Sequence, residues 1–188
     1  MPAHTWLISL RDLDDDARAI QLGAVASLEL AAGQDRFVGD PFRMALTGLA
    51  EAGRWPYVIE TNGQAVGVLT LQSGAARLAG WANEHTAWLL RGFLIDQRQQ
   101  GKGLGRSAAA AAVVTAHRLS RQLGAGEAGV VLSVNEANPA GIAAYAAAGF
   151  VDHGQYLGGS AGPQRTMFAP FATHNQPSTG VVLPSGAQ

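Results

Sequence analysis

Thr86-Ala87-Trp88-Leu89-Leu90-Arg91-Gly92-Phe93-Leu94-Ile95-Asp96 runs directly into Gln97-Arg98-Gln99-Gln100-Gly101-Lys102-Gly103-Leu104-Gly105-Arg106-Ser107. The first part is almost continuously apolar, as a strand buried on both faces should be. After the glycine-rich turn, Leu104, Ala108, Ala112, Ala116, Leu119 and Leu123 recur on one helical face. Gly124 and Gly126 then stop the helix. A strand that enters a glycine turn and leaves as a helix is built to receive an anion. Glycines let successive backbone N–H groups converge without Cβ clashes, and the first helical turn adds unpaired donors at the positive end of its dipole. Lys102 and Arg106 add charge, and Ser107 adds a hydroxyl. Lys102 is the only lysine among 13 basic residues, which marks it as a candidate for a chemically placed charge.

Working outward, residues 4–10 read as an opening strand, and Asp12, Asp14, Asp15 and Asp16 suit a helix start. Residues 17–53 have helical spacing broken by Gly33 and Asp40-Pro41, so two or three short helices are expected. Residues 56–61 and 64–72 read as strands joined at Asn62-Gly63, a hairpin signal. Residues 73–85 are polar and rich in Gly and Ala, and read as a loop. Beyond the long helix, residues 129–134 read as a strand. Asn138-Pro139 opens a helix that ends at Gly149, with Asn as cap and Pro in the first helical position. Residues 150–157 and 165–171 read as the last two strands. This order predicts one α/β domain with a mixed sheet over residues 1–171. Residues 172–188 lack periodicity and read as a mobile tail.

Composition narrows the function. Hydrophobic residues make up 47% of the 188, enough for a sizeable core, and the net charge is −1. A chain so nearly neutral gives no electrostatic case for nucleic acid or an anionic membrane. No apolar run is long enough to span a bilayer, and the N-terminal stretch lacks a basic region ahead of an apolar one, so a cytoplasmic protein is expected. Cysteine is absent, which excludes disulfides, thiolate zinc sites and a cysteine acyl-enzyme. His4, His85, His117, His153 and His174 do not pair at metal-ligand spacing, so no metal is expected.

The glycine turn fits neither familiar nucleotide motif. A dinucleotide fingerprint would need Gly at Arg106, and Arg121 stands where an acidic ribose ligand is expected. A P-loop would need Gly at Asp96 and a Ser or Thr after Lys102. The spacing Gln100-x-x-Gly103-x-Gly105 instead resembles the pyrophosphate signature [QR]-x-x-G-x-[GA] of GCN5-related (GNAT) N-acetyltransferases. A second segment, Asn138-Pro139-Ala140 with Tyr145 and then Gly149-Phe150, resembles the other hallmark of that family, and one strand separates the two helices involved. The resemblance covers roughly residues 55–171. More narrowly, Gln34-x-x-Phe37-Val38, Trp55–Ile59, Val66-Gly67 and Arg91–Asp96 look like the bacterial spermine/spermidine acetyltransferase branch.

The resemblance implies the GNAT fold, a mixed and mostly antiparallel sheet flanked by helices. It implies acetyl-CoA as cosubstrate and direct acetyl transfer to a primary amine, a small molecule such as a polyamine. In this family the strand before the turn splays from its neighbour and pairs with the pantetheine arm, a role that falls on Phe93, Leu94 and Ile95. The pyrophosphate would lie on Gln100, Gly101, Lys102, Gly103, Leu104 and Gly105, with Arg106 beside it and Asn138 as a further contact. Tyr145 stands where the family often places the acid that protonates the departing thiolate; its bland reading is a core tyrosine. Related enzymes often carry a Glu on the strand before the turn, but residues 87–95 hold no carboxylate and only one charge, Arg91. Glu29, Asp35, Glu84 and His85 are candidate bases or amine anchors, or else solvated surface. The cluster Asp12 to Asp16 could serve a polyamine, or simply start a helix. Other acceptors, a protein N-terminus or an aminoglycoside-like amine, and a non-catalytic CoA-binding module stay open. Many relatives dimerise through their last strands, and Phe168 and Phe171 lie there, so a homodimer is expected.

Overall fold

Asn62 and Gly63 both adopt positive φ, 51° and 73°, the conformation that the tightest hairpin turns require. They join β2 (Arg54–Thr61) to β3 (Gln64–Gln72), the antiparallel pair at the heart of the sheet. The computed structural model describes residues 5–36, 38–159 and 162–172. Around this hairpin come β1 (Trp6–Ser9), α1 (Asp15–Ala26), α2 (Pro41–Ala50) and β4 (Trp88–Ile95). The rest of the chain forms α3 (Leu104–Leu123), β5 (Gly129–Asn135), α4 (Pro139–Ala147), β6 (Val151–Tyr156) and β7 (Gln164–Pro170). The seven strands form one sheet in the order β1-β2-β3-β4-β5-β7-β6. Only β4 and β5 run parallel, and α3 is the crossover that such a pair needs. This is the mostly antiparallel α/β sheet expected. The tail expected over 172–188 lies outside the described residues except for Ala172. No helix among the described residues is long and apolar enough to cross a membrane.

Helices α1 and α2 start where their cap residues say they should. Asp14 accepts from the Ala17 amide at 2.8 Å, and Asp15 and Asp16 fill the first turn of α1. Asp40 accepts from the Arg43 amide at 2.8 Å and Pro41 opens α2. The acidic run at 12–16 thus acts locally as a helix start, and it lines none of the cavities described below.

The sheet is covered on both faces. Leu104, Ala108, Ala112 and Ala116 of α3 are buried against Ile59, Leu69, Leu71, Trp88 and Leu132. The predicted face runs out in the last turn, where Leu123 is 55% exposed. Alanine at these positions lets the helix axis approach the sheet closely, and Trp88 fills the space towards its end. The Trp88 indole N–H donates to the Ser120 hydroxyl at 2.6 Å, so this buried donor is satisfied. On the other face, Val25, Leu28 and Ala45 pack on Val58, Val68 and Leu94.

One expectation fails. Residues 73–85 are not a polar surface loop throughout: Ala76–Ala79 forms a 3₁₀ turn, and Ala75, Ala76 and Ala79 are buried with Ala87, Leu89 and Val131. Alanine and glycine carry no period that distinguishes a loop from a closely packed turn, and small side chains fill shallow space over a sheet. Trp81, from the same segment, stacks on Phe168 with ring centroids 4.5 Å apart.

Candidate active site

The site begins with a defect in β4. Opposite Val68 and Thr70 of β3 stand Leu94 and Arg91, so β4 carries one extra residue there. Gly92 supplies the positive φ, 56°, that such a bulge needs, and its side abuts Met44 of α2. Pairing of β4 with β5 involves only Trp88 with Val130 and Leu89 with Val131. From Leu90 onward the two strands diverge and open a slot in the sheet. The bulge re-aims the backbone at the point of divergence, as bulges beside functional sites commonly do.

A cleft of about 460 Å³ lies on the helix side of that slot. Its floor is the start of α3. Gly101 and Gly103 have φ of 75° and 77°, and a Cβ at either would meet nothing, so conformation rather than space demands glycine there. Gly103 is the residue before α3, and no side chain caps that end. The amides of Leu104, Gly105 and Arg106 therefore precede the first intrahelical bond, from the Ser107 amide to the Gly103 carbonyl at 3.2 Å. A Cβ on Gly105 would project towards Ala144, Ile95 and Phe93, narrowing the cleft. A glycine-cradled, uncapped helix start of this kind suits a phosphate group.

Just before it, Asp96 is 2% exposed and anchors the loop. Its carboxylate accepts from the Arg98 side chain and amide, both at 2.8 Å, and from the Glu29 amide at 3.4 Å. The Arg98 hydrogen bond holds the Asp96 carboxyl below its ordinary pKa. The brace therefore persists through neutral pH and weakens only in acid, as pH falls through that lowered value.

Most of the residues singled out in the sequence meet in this cleft. Phe93, Ile95, Gln100, Gly101, Gly103, Leu104, Gly105, Arg106, Asn138 and Tyr145 line it. Leu94 does not: it packs on the opposite face with Val58 and Val68. Lys102 does not either, because its ammonium turns back to Gln99 Oε1 at 2.7 Å and the Arg98 carbonyl at 3.3 Å. The Gln100 amide donates to the Ile95 carbonyl at 2.9 Å and to Gln34 Oε1 at 3.1 Å, closing the turn. Asn138 accepts from the Gly141 amide at 2.9 Å, which makes it the cap of α4. Asn138→Ala is therefore expected to destabilise the fold by about 1 kcal/mol, a shift in denaturation midpoint that urea titration would register.

Tyr145, on α4, packs edge-on against Phe93 and Phe150 with centroid separations of 5.6 and 5.8 Å. Among the described residues its hydroxyl has no hydrogen-bond partner. Burial pushes its phenol pKa well above the ordinary tyrosine value.

Two further cavities continue from this cleft through the slot. A passage of about 110 Å³ is lined by Phe93, Asn138 and Tyr145 on one side and by Arg91, Ser133 and Gln164 on the other. It leads to a larger cavity of about 700 Å³ between α2 and the sheet, whose lining includes Asp40, Arg43, Arg54 and Arg91. Val38 lines all three spaces, while Phe37 beside it lies outside the described residues. Sequence reading passed over Asp40, Arg43, Arg54 and Gly92. Arg91 had announced itself as the lone charge in an apolar strand.

The candidate bases are not at the slot. Glu29 pairs with Arg98 at 3.3 Å, and Glu84 and His85 face one another at 3.4 Å on an exposed turn. None of these, nor Asp35, lines the three spaces. Among the described residues Asp40 is the one carboxylate that lines any of them, and it lines only the larger cavity. Among the described residues no group of His, Asp and Glu could hold a metal ion.

Comparison with solved structures finds the same architecture. Spermidine N-acetyltransferase from Vibrio cholerae, solved with CoA and spermine, superposes with a TM-score of 0.57 at 15% identity, over 89% of this chain and 96% of that one. AAC(6')-Ib, solved with paromomycin and acetyl-CoA, gives 0.63 at 19% identity, over 90% and 94%. Such identities establish the fold. Comparison with curated protein sequences finds no match. The model of the acetyltransferase (GNAT) family matches residues 27–150. With that match, covering both the glycine turn and the Asn138 to Phe150 segment, the chain belongs to the acetyltransferase (GNAT) family.

Proposed function

We propose that the protein transfers an acetyl group directly from acetyl-CoA to a primary amine on a small molecule. The carrying observation is the continuity of three spaces through the β4–β5 slot: a phosphate cradle on one side, an open cavity on the other, and Tyr145 between them. Acetyl-CoA would supply an activated thioester. The uncapped start of α3 and Arg106 would hold its pyrophosphate, and the main chain of Phe93 to Ile95, left unpaired by β5, would align its arm. The acceptor amine, entering from the larger cavity, must first lose a proton, and then attacks the thioester carbonyl. The C–S bond breaks, Tyr145 would give its hydroxyl proton to the departing sulfur, and the proton shed by the new amide nitrogen would restore the phenol. Asp40, the carboxylate among the described residues that lines the larger cavity, would receive the amine proton through solvent there.

Both solved neighbours described above are complexes with polycationic amines, an aminoglycoside and a polyamine. That supports an amine acceptor here; the Gln34–Val38 and Phe93–Asp96 segments suggest a polyamine, whereas the charge of the larger cavity favours a different amine, as argued below. The test is acetyl-CoA turnover against a panel of amines, with product masses. CoA release with no acetylated amine in the panel would count against the reading.

We also propose a homodimer, formed along the free edge of β6. Phe168 and Phe171 are not its basis, since they stack internally on Trp81 and His117. Val151 at that edge is 60% exposed. Sedimentation at micromolar concentration should give twice the chain mass; a monomer would refute it.

A further inference from the structure

Three arginines, Arg43, Arg54 and Arg91, line the larger cavity, against one carboxylate, Asp40. Their partners differ. Arg54 is neutralised by Glu51 at 2.9 Å and also donates to Gln72 Oε1 at 3.1 Å. Asp40 Oδ1 is engaged by the Arg43 amide as a helix cap. The Arg43 guanidinium is exposed and makes no ion pair with the described residues. Arg91 is half-buried, and among the described residues its side chain makes one hydrogen bond, to Gln72 Oε1 at 2.9 Å, the same neutral oxygen that Arg54 uses, and no ion pair. A guanidinium presents five donors and stays charged. Burial first, and then the neighbouring Arg54, work against that charge and outweigh the support of Glu51, so the Arg91 pKa is lowered. A partly desolvated cation with donors to spare and no carboxylate partner is a site for a planar anion.

Resting on the acetyltransferase reading above, we propose that the acceptor is an amine that also carries a carboxylate, and that Arg91 receives that carboxylate. Arg91 lines both the large cavity and the narrow passage to Tyr145. A carboxylate seated there leaves an amine a few bonds away free to enter the passage. Arg43 adds attraction at the mouth. A polycation would instead add positive charge to a cavity that already has an excess of it, and like charges at close range are repelled. Arg91 is thus assigned as a specificity determinant.

The test uses the full chain, saturated with CoA for binding and supplied with acetyl-CoA alone for turnover. Free amino acids, including β-alanine and 4-aminobutyrate, are compared with their carboxamides, and spermidine and kanamycin serve as polycation arms. Ligand-induced change in melting temperature reports binding, and acetyl-CoA turnover reports transfer. The best acid should stabilise the protein more than its amide, with kcat/KM at least about tenfold higher, the usual scale of a charge-assisted contact. Arg91→Gln should bring that ratio near one, and Arg91→Lys should restore part of it. Gln72 keeps its bond to Arg54 in both variants, so the sheet should hold. Preference for amides or polycations, or Arg91→Gln lowering acid and amide alike, would overturn the inference. The two readings fail separately. Acid-selective stabilisation that vanishes in Arg91→Gln, with no turnover of any amine, would uphold the anion site and sink the transferase reading.

Discussion

Tyr145→Phe is expected to lower kcat by at least about tenfold, a floor set below the roughly 10²–10⁴ of general acid–base help because water substitutes in part. Acetyl-CoA affinity should change little. The substitution removes only a hydroxyl that has no partner among the described residues, so the ring keeps its edge contacts with Phe93 and Phe150. Denaturation should therefore be close to wild type. The pH dependence has a defined sign. Burial favours the neutral phenol and raises its pKa above the ordinary value of about 10, so Tyr145 remains protonated throughout the neutral range. Loss of its proton cannot produce a falling limb below about pH 10. A folded variant with wild-type kcat, measured where chemistry limits the rate, would make Tyr145 a packing residue.

Gly103→Asp is expected to weaken acetyl-CoA binding by about 100-fold, corresponding to about 2.7 kcal/mol. A carboxylate would be introduced beside the uncapped amides of α3, where it would satisfy those donors itself and repel a phosphate. Strain adds to this, because Gly103 has a φ of 77° that side chains rarely adopt. Gly103→Asn separates the two effects. Asn tolerates the left-handed region better than most residues and brings no charge, so it should bind markedly better than the Asp variant. Calorimetric titration with CoA measures both. Equal affinity in Gly103→Asp and wild type would place the phosphates elsewhere.

The two motifs were legible because each is local chemistry. Gln100, Gly103 and Gly105 need only a strand before them and a helix after them to act together. Asn138-Pro139 is a helix cap wherever it occurs, and here it caps α4. Lys102 shows the limit of that reading. Its uniqueness in the sequence suggested a role in the cleft, yet its flexible four-carbon stem lets it fold back on Gln99 and Arg98.

What the amino-acid sequence determined by itself was the order of elements, the hairpin at Asn62-Gly63, the helix caps, and the strand–glycine–helix unit that makes an anion cradle. All of these follow from interactions between residues a few positions apart. Only the tertiary structure decided where β4 and β5 part, because that depends on the register of β4 against β3 and the extra residue at Gly92. It alone decided the character of the acceptor cavity. Arg43 on α2, Arg54 on β2 and Arg91 on β4 are far apart in sequence and meet only when α2 lies over the sheet. Charge at a site is a sum over distance in space, and the chain carries no local pattern from which that sum can be read.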